Sequence, residues 1–276
     1  MNKLSIDKRC AVISALIEGC SIRSTVRMTG VAKNTVVKLL ADVGRACAEY
    51  QKKVMVKLPC ERLQVDEIWS FVYAKQKNVP EEFQGEFGLG DVWTFVAIDA
   101  DTKLVPCWLV GWRDAQCATE FICDLAGRLS YRPQLTTDGH KMYLQAVEAG
   151  FAGQIDYAML VKIYGPEPAG EARYSPPKCN GAEKHKITGN PDPDNISTSY
   201  VERQNLTMRM GMRRFTRLTN AFSKKVENLE YAVALHFMHY NFARIHQTLR
   251  MPPALKAHIT DHVWTIKEIV ELADSN

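Results

Sequence analysis

The sequence lacks several features that would place it in a familiar class. No apolar run approaches the roughly 18 residues of a membrane span. None of the eight cysteines forms a C-x-x-C pair, which argues against a zinc ribbon or a thioredoxin-like motif. No internal repeat or low-complexity tract is present, and charged residues interrupt each short apolar run of the opening MNKLSIDKRCAV, unlike a secretion signal. We therefore expect a cytoplasmic protein without a membrane partner, in which most cysteines are free thiols.

Acidic residues are scarce in two stretches of the chain. Residues 1–60 contain eleven Lys or Arg and four Asp or Glu, a net charge of +7 in a chain whose total is +4. Residues 203–225 contain seven basic residues and no acidic one. Clustered basic side chains are typical of proteins that bind a phosphate backbone, because neutralising phosphates releases counterions. A solvated basic surface fits the same charge, so composition alone leaves the partner open.

The first 50 residues have the pattern of three helices. An apolar stripe over 6–17 predicts the first, a serine at position 21 begins the second, and a third is predicted over 32–48. A short turn containing Gly30 joins the last two, as in a helix-turn-helix. A three-helix bundle used for protein contact is the alternative. In the helix-turn-helix interpretation, four side chains near the start of the third helix face DNA: Lys33, Asn34, Thr35 and Lys38.

A change of hydrophobic period divides the chain in two. Residues 51–61 form a polar, lysine-rich segment that we interpret as a linker. We accordingly predict a helix-turn-helix domain at residues 1–50 and a larger α/β domain at residues 62–276. Residues 165–197 are rich in Gly, Pro, Asn, Asp and Lys without a clear period, and we predict a loop-rich insertion there.

The larger domain has the element order β-β-β-α-β-α-β-α. Strands are predicted at 63–73, 92–98, 104–112, 134–137 and 157–164, and helices at 118–129, at 140–149 and from about 198 onward. Three leading antiparallel strands followed by α/β units predict a ribonuclease-H-like fold, that is, a mixed sheet flanked by helices. In that fold, carboxylates from the first strand, the fourth strand and a late helix converge.

Three carboxylates occupy those elements. Asp66 interrupts an apolar strand, where acidic residues are depleted; Asp138 ends the fourth strand; Glu202 begins the late helix. Neighbouring residues of a strand point to opposite faces, so we expect only one of Asp66 and Glu67 to serve a given site. For Glu202, a capping box with Ser199 is the alternative to a role in a metal site.

The segments around these carboxylates resemble a known family. They are LQVDEIWSFV around Asp66, TTDGHKMY around Asp138, and STSYVERQNLTMRMGMRRFTRLTNAFSKK around Glu202. In them the chain resembles the DDE transposases of prokaryotic insertion sequences, close to the family typed by insertion sequence 1. The segment HYNFARIHQTLRMPPA is similar to the closing stretch of such catalytic cores, and the likeness covers roughly residues 60–273. Members often have an amino-terminal zinc finger, for which this chain has no cysteine pairs, so zinc is not carried over.

The resemblance implies a transposase that binds double-stranded DNA, both the element ends and the target, and that cuts and joins strands. It implies catalytic and metal-binding roles for Asp66, Asp138 and Glu202. Oxygen ligands without His or Cys select Mg²⁺ or Mn²⁺, and two such ions ~3.5–4 Å apart would activate a nucleophile and stabilise the leaving oxygen. Pairing two element ends suggests at least a homodimer in the active complex. Five arginines of the late helix would line the DNA path: Arg203, Arg209, Arg213, Arg214 and Arg217.

Other functions and roles stay open. A nuclease of the same fold would cut without joining, and a DNA-binding regulator with a decayed core would do neither. His140, two residues after Asp138, would assist proton transfer, or would cap its helix or pack within the protein. Arg244 and His246 are further candidates for DNA contact.

Overall fold

A computed structural model describes residues 4–165, 179–216 and 219–274 of the chain. Three helices come first, α1 (Ile6–Ile17), α2 (Ile22–Thr29) and α3 (Lys33–Val54). The side chains of Ser5 and Ser21 accept hydrogen bonds from backbone N–H groups in the first turns of α1 and α2, and so cap them. The three predicted helices are therefore present, while their use as a helix-turn-helix stays a prediction.

The rest of the chain builds a six-stranded mixed sheet flanked by helices. The strands are β1 (Arg62–Val72), β2 (Gly90–Asp99), β3 (Trp108–Gly111), β4 (Gln134–Asp138), β5 (Asp156–Tyr164) and β6 (Cys179–Thr188). Their order across the sheet is β3-β2-β1-β4-β5-β6. β1 pairs antiparallel with β2 and parallel with β4, β4 pairs parallel with β5, and the outer pairs β2–β3 and β5–β6 are antiparallel. The predicted α/β class is confirmed.

Helices cover both faces of this sheet. They are α4 (Ala115–Arg128), α5 (Met142–Phe151), α6 (Ser199–Gly211) and α7 (Val226–Met238). Two short helices follow, α8 (Pro253–Lys256) and α9 (Ile266–Glu271), and α9 packs against α1 and α3. On one face, the ring of Phe95 in β2 lies 5.7 Å from that of Phe121 in α4. On the other face, Trp108 in β3 stacks on Phe237 in α7 at 6.3 Å. Because side chains alternate along a strand, β1 presents Asp66 to the α6–α7 face and its neighbour to the α4–α5 face.

Helix α3 continues beyond residue 50, where the sequence predicted a linker, and packs along α7. Gly44 is so close to α7 that a Cβ added there would lie 2.5 Å from the Cβ of Tyr231. After α3 the chain remains attached to the core, because Met55 and Leu58 are only 1% and 2% exposed. The backbone N–H of Leu58 also donates to the carbonyl of Arg128 at 2.8 Å. The predicted linker segment is therefore packed against the larger unit.

The structure corrects one predicted strand and one predicted loop. The strand predicted over 104–112 is reduced to the four residues of β3, because the segment before β3 bonds β2 with irregular spacing. The side chain of Asn241 bonds this irregular segment. Its Oδ1 accepts from the N–H of Val105 and its Nδ2 donates to the carbonyl of Val105, both at 3.0 Å. The predicted loop over 165–197 contains the ten-residue strand β6, nine of whose residues are exposed. Residues 166–178 of that insertion lie outside the described ranges.

The cysteines behave as the sequence predicted. All eight are free thiols. Cys47, Cys60 and Cys107 are buried in the core, and desolvation raises the pKa of each thiol. In the part of the chain that the structure describes, no helix combines the length and the apolar character needed to cross a membrane.

Candidate active site

Asp66 and Asp138 lie side by side because β1 and β4 are adjacent and parallel. Val65 pairs in register with Thr137, so the two carboxylates follow at equivalent positions of neighbouring strands. One oxygen from each of Asp66, Glu67 and Asp138 lies within 4.8 Å of the other two. Among the described residues this is the one group of three or more side chains that is arranged to hold a metal ion. We call these three residues the acidic group.

Glu67 belongs to this group although it leaves β1 on the opposite face from Asp66. The expectation that only one of the two could approach a given site is therefore wrong. The side chain of Glu67 is 1% exposed, and Arg113 lies 2.5 Å from its Oε1. The hydroxyl of Tyr143 donates to its Oε2 at 2.8 Å. Both oxygens of Glu67 have partners within the protein. Glu67 therefore acts on the site mainly through its negative charge and less as a metal ligand.

The electrostatics of the acidic group are unfavourable without a cation. Burial, followed by the negative charges of Glu67, Asp138 and Glu202, raises the pKa of Asp66 to about 7. Like charges in a partly desolvated site disfavour one another's ionised forms, which explains the direction. A bound cation would reverse it, because it favours the ionised carboxylate.

Helix α6 is attached to β1 at two points on the same face. Oε1 of Gln64 accepts hydrogen bonds from the backbone N–H groups of Tyr200 and Val201, at 2.8 and 3.2 Å, and so caps the start of α6. Two residues further along β1, Asp66 accepts a hydrogen bond of 2.8 Å from Nδ2 of Asn205. Asn205 is 5% exposed. These bonds fix the first two turns of α6 over the acidic group.

Glu202 lies on this helix but is not a member of the acidic group. Its Oε1 accepts a hydrogen bond from Oγ1 of Thr198, and its Oε2 lies 2.5 Å from Nζ of Lys162 in β5. The N-cap residue, Thr198, makes no side-chain capping bond. The capping-box alternative with Ser199 is therefore wrong, and the carboxylate of Glu202 is bonded to two side chains instead.

His140 follows the acidic group along the chain. Its backbone N–H donates to Oδ1 of Asp138 at 3.0 Å, and its Nδ1 accepts from the N–H of Met142 at 3.4 Å. The imidazole thus bonds the backbone N–H of Met142, the first residue of α5, which is a capping contact from outside the N-cap position.

The side chains predicted to contact DNA through α3 are at the surface. Lys33, Asn34, Thr35 and Lys38 are all exposed at the start of that helix. Nζ of Lys38 lies 2.6 Å from Oδ2 of Asp42, one turn later. An exposed pair of this kind contributes little stability, so Lys38 can exchange Asp42 for another anion at small cost.

The arginines of α6 and the segment after it differ in environment. Arg203 and Arg213 are exposed and Arg209 is half-buried. Arg214 donates from Nε to Oγ of Ser223 at 2.9 Å, and burial lowers its pKa to about 10. Arg214 is thus bonded within the protein. Arg217 lies outside the described residues.

Two further predicted contacts lie after α7. Arg244 is exposed and His246 is half-buried. Burial, together with the positive charges of Lys103 and Arg244, lowers the pKa of His246. This shift favours the neutral imidazole of His246, while contact of either residue with DNA stays a prediction.

Sequence analysis assigned no role in the site to several residues that shape it. Gln64, Lys162 and Asn205 contact the carboxylates or their helix, and Arg113 and Tyr143 bond Glu67. Lys162 had a detectable signal, because a lysine inside the apolar strand YAMLVKIY is as unusual as Asp66 in its own strand.

Comparisons with known proteins give no assignment. No family model matches the chain, and no curated protein matches it in a sequence search. The fold and the site geometry are therefore the basis on which a function can be inferred.

Proposed function

We propose that the chain is a DDE-type DNA transposase, a divalent-metal-dependent enzyme that cuts the ends of an insertion element and joins them to target DNA. The sheet supports this proposal. Its order β3-β2-β1-β4-β5, with β1 antiparallel to β2 and parallel to β4, is compatible with a ribonuclease-H-like core. Asp66, Asp138 and Glu202 lie on the first strand, the fourth strand and a late helix, the elements from which such cores take their carboxylates.

One observation supports the proposal more than any other. Asp66 and Asp138 approach within 4.8 Å, and the helix that contains Glu202 is bonded to Asp66 through Asn205. Two carboxylates ~4 Å apart repel by about 4 kcal/mol at an effective dielectric near 20. This repulsion disfavours the arrangement unless another charge neutralises the pair. Binding of a cation between these carboxylates is the simplest explanation for their approach.

The donor set fits Mg²⁺ or Mn²⁺. All the available ligands are carboxylate oxygens, with no His or Cys in the acidic group, and hard oxygen ligands select these ions. Asp66, Asp138 and Glu202 would hold them. When bound, two such ions would lower the pKa of the attacking hydroxyl or water and stabilise the leaving oxygen of a displacement at phosphorus.

The protein's own residues hold this arrangement in place. Asn205 fixes the orientation of the Asp66 carboxylate. Gln64 fixes the end of α6 from which Glu202 projects. Arg113 compensates Glu67, so that the buried charge behind the site does not add its full repulsion to the carboxylates in front.

Double-stranded DNA is the partner we propose. The exposed side chains at the start of α3 would contact the element ends, and exposed Arg203 and Arg213 would contact phosphates near the acidic group. Such contacts position the duplex and do not specify its sequence. Joining two ends in one reaction requires two catalytic cores, so we propose a homo-oligomer in the active complex, acting in the cytoplasm.

The test is strand cleavage and joining in Mg²⁺, using DNA from the flanks of the gene and a separate target duplex. The wild type is compared with Asp66→Asn, Asp138→Asn and Glu202→Gln. Glu148→Gln, which neutralises an exposed carboxylate of α5, is the control. We expect the wild type and the control to nick and join, and the three site variants to bind the flanks without doing either.

Other outcomes would favour the rival functions. Nicking without joined product would indicate a nuclease of the same fold. Binding without cleavage by the wild type would indicate a regulator. Full activity of Glu202→Gln would remove Glu202 from the site.

A further inference from the structure

Lys162 is the positive partner of Glu202. Its Nζ lies 2.5 Å from Oε2 of Glu202, and the two side chains are 29% and 39% exposed. This ion pair turns the predicted third carboxylate toward β5 and leaves it outside the acidic group.

The sheet explains why Lys162 is beside the site. β4 and β5 are parallel, and Asp138 at the end of β4 pairs in register with Leu160. Lys162 is two residues further along β5, on the same face as Leu160, so it extends past the end of β4. The acidic group, the carboxylate of Glu202 on α6 and the ammonium group of Lys162 on β5 therefore lie together at the carboxyl edge of the sheet.

We propose that Glu202 exchanges Lys162 for the divalent ion when the site is loaded, and that the ammonium released by this exchange then contacts a phosphate of the bound DNA. This inference rests on the proposed function. Before metal binds, Lys162 would be a positioning residue, because it acts through Glu202; after metal binds, it would be a phosphate contact. In both states its positive charge has an anionic partner.

The chemistry of the pair suits such an exchange. A divalent ion held by Asp66 and Asp138 would attract the Glu202 carboxylate with twice the charge of an ammonium group. A lysine side chain has a flexible stem of four carbons and three donors, so it can change partner without a backbone movement. A half-exposed ion pair contributes little free energy, so it holds Glu202 in the empty site without preventing metal binding.

The exchange predicts that loss of Lys162 strengthens metal binding and weakens DNA binding. Replacing Lys162 by Met removes a competitor for Glu202, so metal should bind more tightly, by about 2- to 5-fold for an exposed pair. The same change removes one phosphate contact, so DNA should bind the loaded protein more weakly. The slope of log affinity against log salt should become shallower by about 1. A lysine that only supported the fold would not improve metal binding when removed.

The experiment uses the full chain with Mn²⁺ alone as the probe. Free Mn²⁺ is measured by electron paramagnetic resonance in the absence of DNA, for the wild type, Lys162→Met and Lys162→Arg. Lys184→Met on β6 is the matched control, since the ammonium of Lys184 is exposed and donates to the carbonyl of Pro193 at 2.6 Å. DNA affinity is then measured over a range of salt in saturating Mn²⁺. Thermal unfolding shows whether each variant is folded.

We expect only Lys162→Met to bind Mn²⁺ more tightly and to show the shallower salt slope, with Lys162→Arg and Lys184→Met close to the wild type in metal binding. Unchanged or weaker Mn²⁺ binding by Lys162→Met would overturn the exchange. An unchanged salt slope would overturn the phosphate contact. If the wild type and Asp66→Asn bind Mn²⁺ equally, the metal site itself is wrong, and the proposed function fails separately from this inference.

Discussion

Nδ2 of Asn205 donates a hydrogen bond of 2.8 Å to Oδ2 of Asp66, and this bond joins the second turn of α6 to the middle of β1. It is the direct link between the helix of Glu202 and the acidic group. A carboxylate that has one oxygen fixed in this way presents the other in a defined direction. The orientation of Asp66 therefore depends on a residue with no charge of its own.

Under the proposed function, replacing Asn205 by Ala should impair DNA cleavage strongly. Hydrogen bonds to a charged group contribute about 1.5–3 kcal/mol, so loss of this bond should lower the cleavage rate in Mg²⁺ by about tenfold or more. Leu206→Ala, at a neighbouring position of α6 that is 43% exposed, should leave the rate unchanged. A wild-type rate in Asn205→Ala at limiting and saturating Mg²⁺ would show that Asp66 needs no such support.

The raised pKa of Asp66 predicts a pH dependence of stability in the metal-free protein. The folded pKa is about 7 and the ordinary value is 3.8. Between these values the folded state keeps a proton that the unfolded state has lost. The contribution is therefore fully present below pH 4 and is lost as pH rises through 7, by about 1.4 kcal/mol per pH unit. Asp66→Asn should remove this slope.

The effect of Asp66 is measured as the difference in unfolding free energy between the wild type and Asp66→Asn. His236 is buried, and desolvation lowers its pKa to about 3, so its contribution is lost as pH falls and opposes that of Asp66 in the wild type. Urea unfolding of the wild type and of Asp66→Asn at several pH values isolates the carboxylate. Free energies of unfolding that differ by the same amount at pH 4.5 and at pH 7.5 would contradict the raised pKa.

Removing the acceptor at Gln64 should destabilise α6. Gln64 is 3% exposed, and its Oε1 accepts from two backbone N–H groups at the start of that helix. Gln64→Leu leaves both donors without this partner, which should cost about 1–2 kcal/mol of unfolding free energy. Chemical denaturation measures the change, and Gln154→Leu at an exposed position is the control. Equal stability of the two variants would mean that water replaces the cap.

Glycine-to-alanine substitutions in two helices should have opposite effects. Gly127 in α4 is exposed, and a Cβ there meets nothing within 4 Å, so Gly127→Ala should stabilise the protein by about 0.5–1 kcal/mol. Gly44 lies against Tyr231 of α7, so Gly44→Ala should overpack that contact and cost about 1–3 kcal/mol. Melting temperatures of both variants test this, and a stabilising Gly44→Ala would show that α3 and α7 are less closely packed.

The elements with a periodic apolar face could be predicted from the sequence. β1, β2, β4 and β5 each bury one or both faces, and the alternation or apolar run that results is visible in the residues. β6 could not be predicted, because a strand exposed along nearly its whole length has no such alternation. The irregular segment before β3 contacts Asn241 through Val105, 136 residues away in sequence, and no local pattern predicts that contact.

The carboxylates of the site could be predicted from the sequence, but the side-chain contacts that position them could not. Asp66 and Asp138 could be predicted because the first is an acidic residue inside an apolar strand and the second ends a strand. The position of Glu202 outside the acidic group was not foreseen, since it depends on Lys162, a tertiary contact across 40 positions of sequence. The approach of Glu67 was missed because alternation along a strand fixes the face of a side chain but not how far its carboxylate reaches.

Under the proposed function, the continuity of α3 would set a length scale for DNA recognition. Its 22 residues form a rod about 33 Å long at 1.5 Å per residue, with the proposed DNA contacts at one end and the packing against α7 further along. Under the proposed function, the recognised sequence and the cut phosphate are held at a fixed separation, because no flexible tether lies between them. The position of the cut would then be counted from the recognised sequence and would not depend on the bases at the cut. One or two base pairs inserted between the two would shift the cut along the DNA instead of abolishing it.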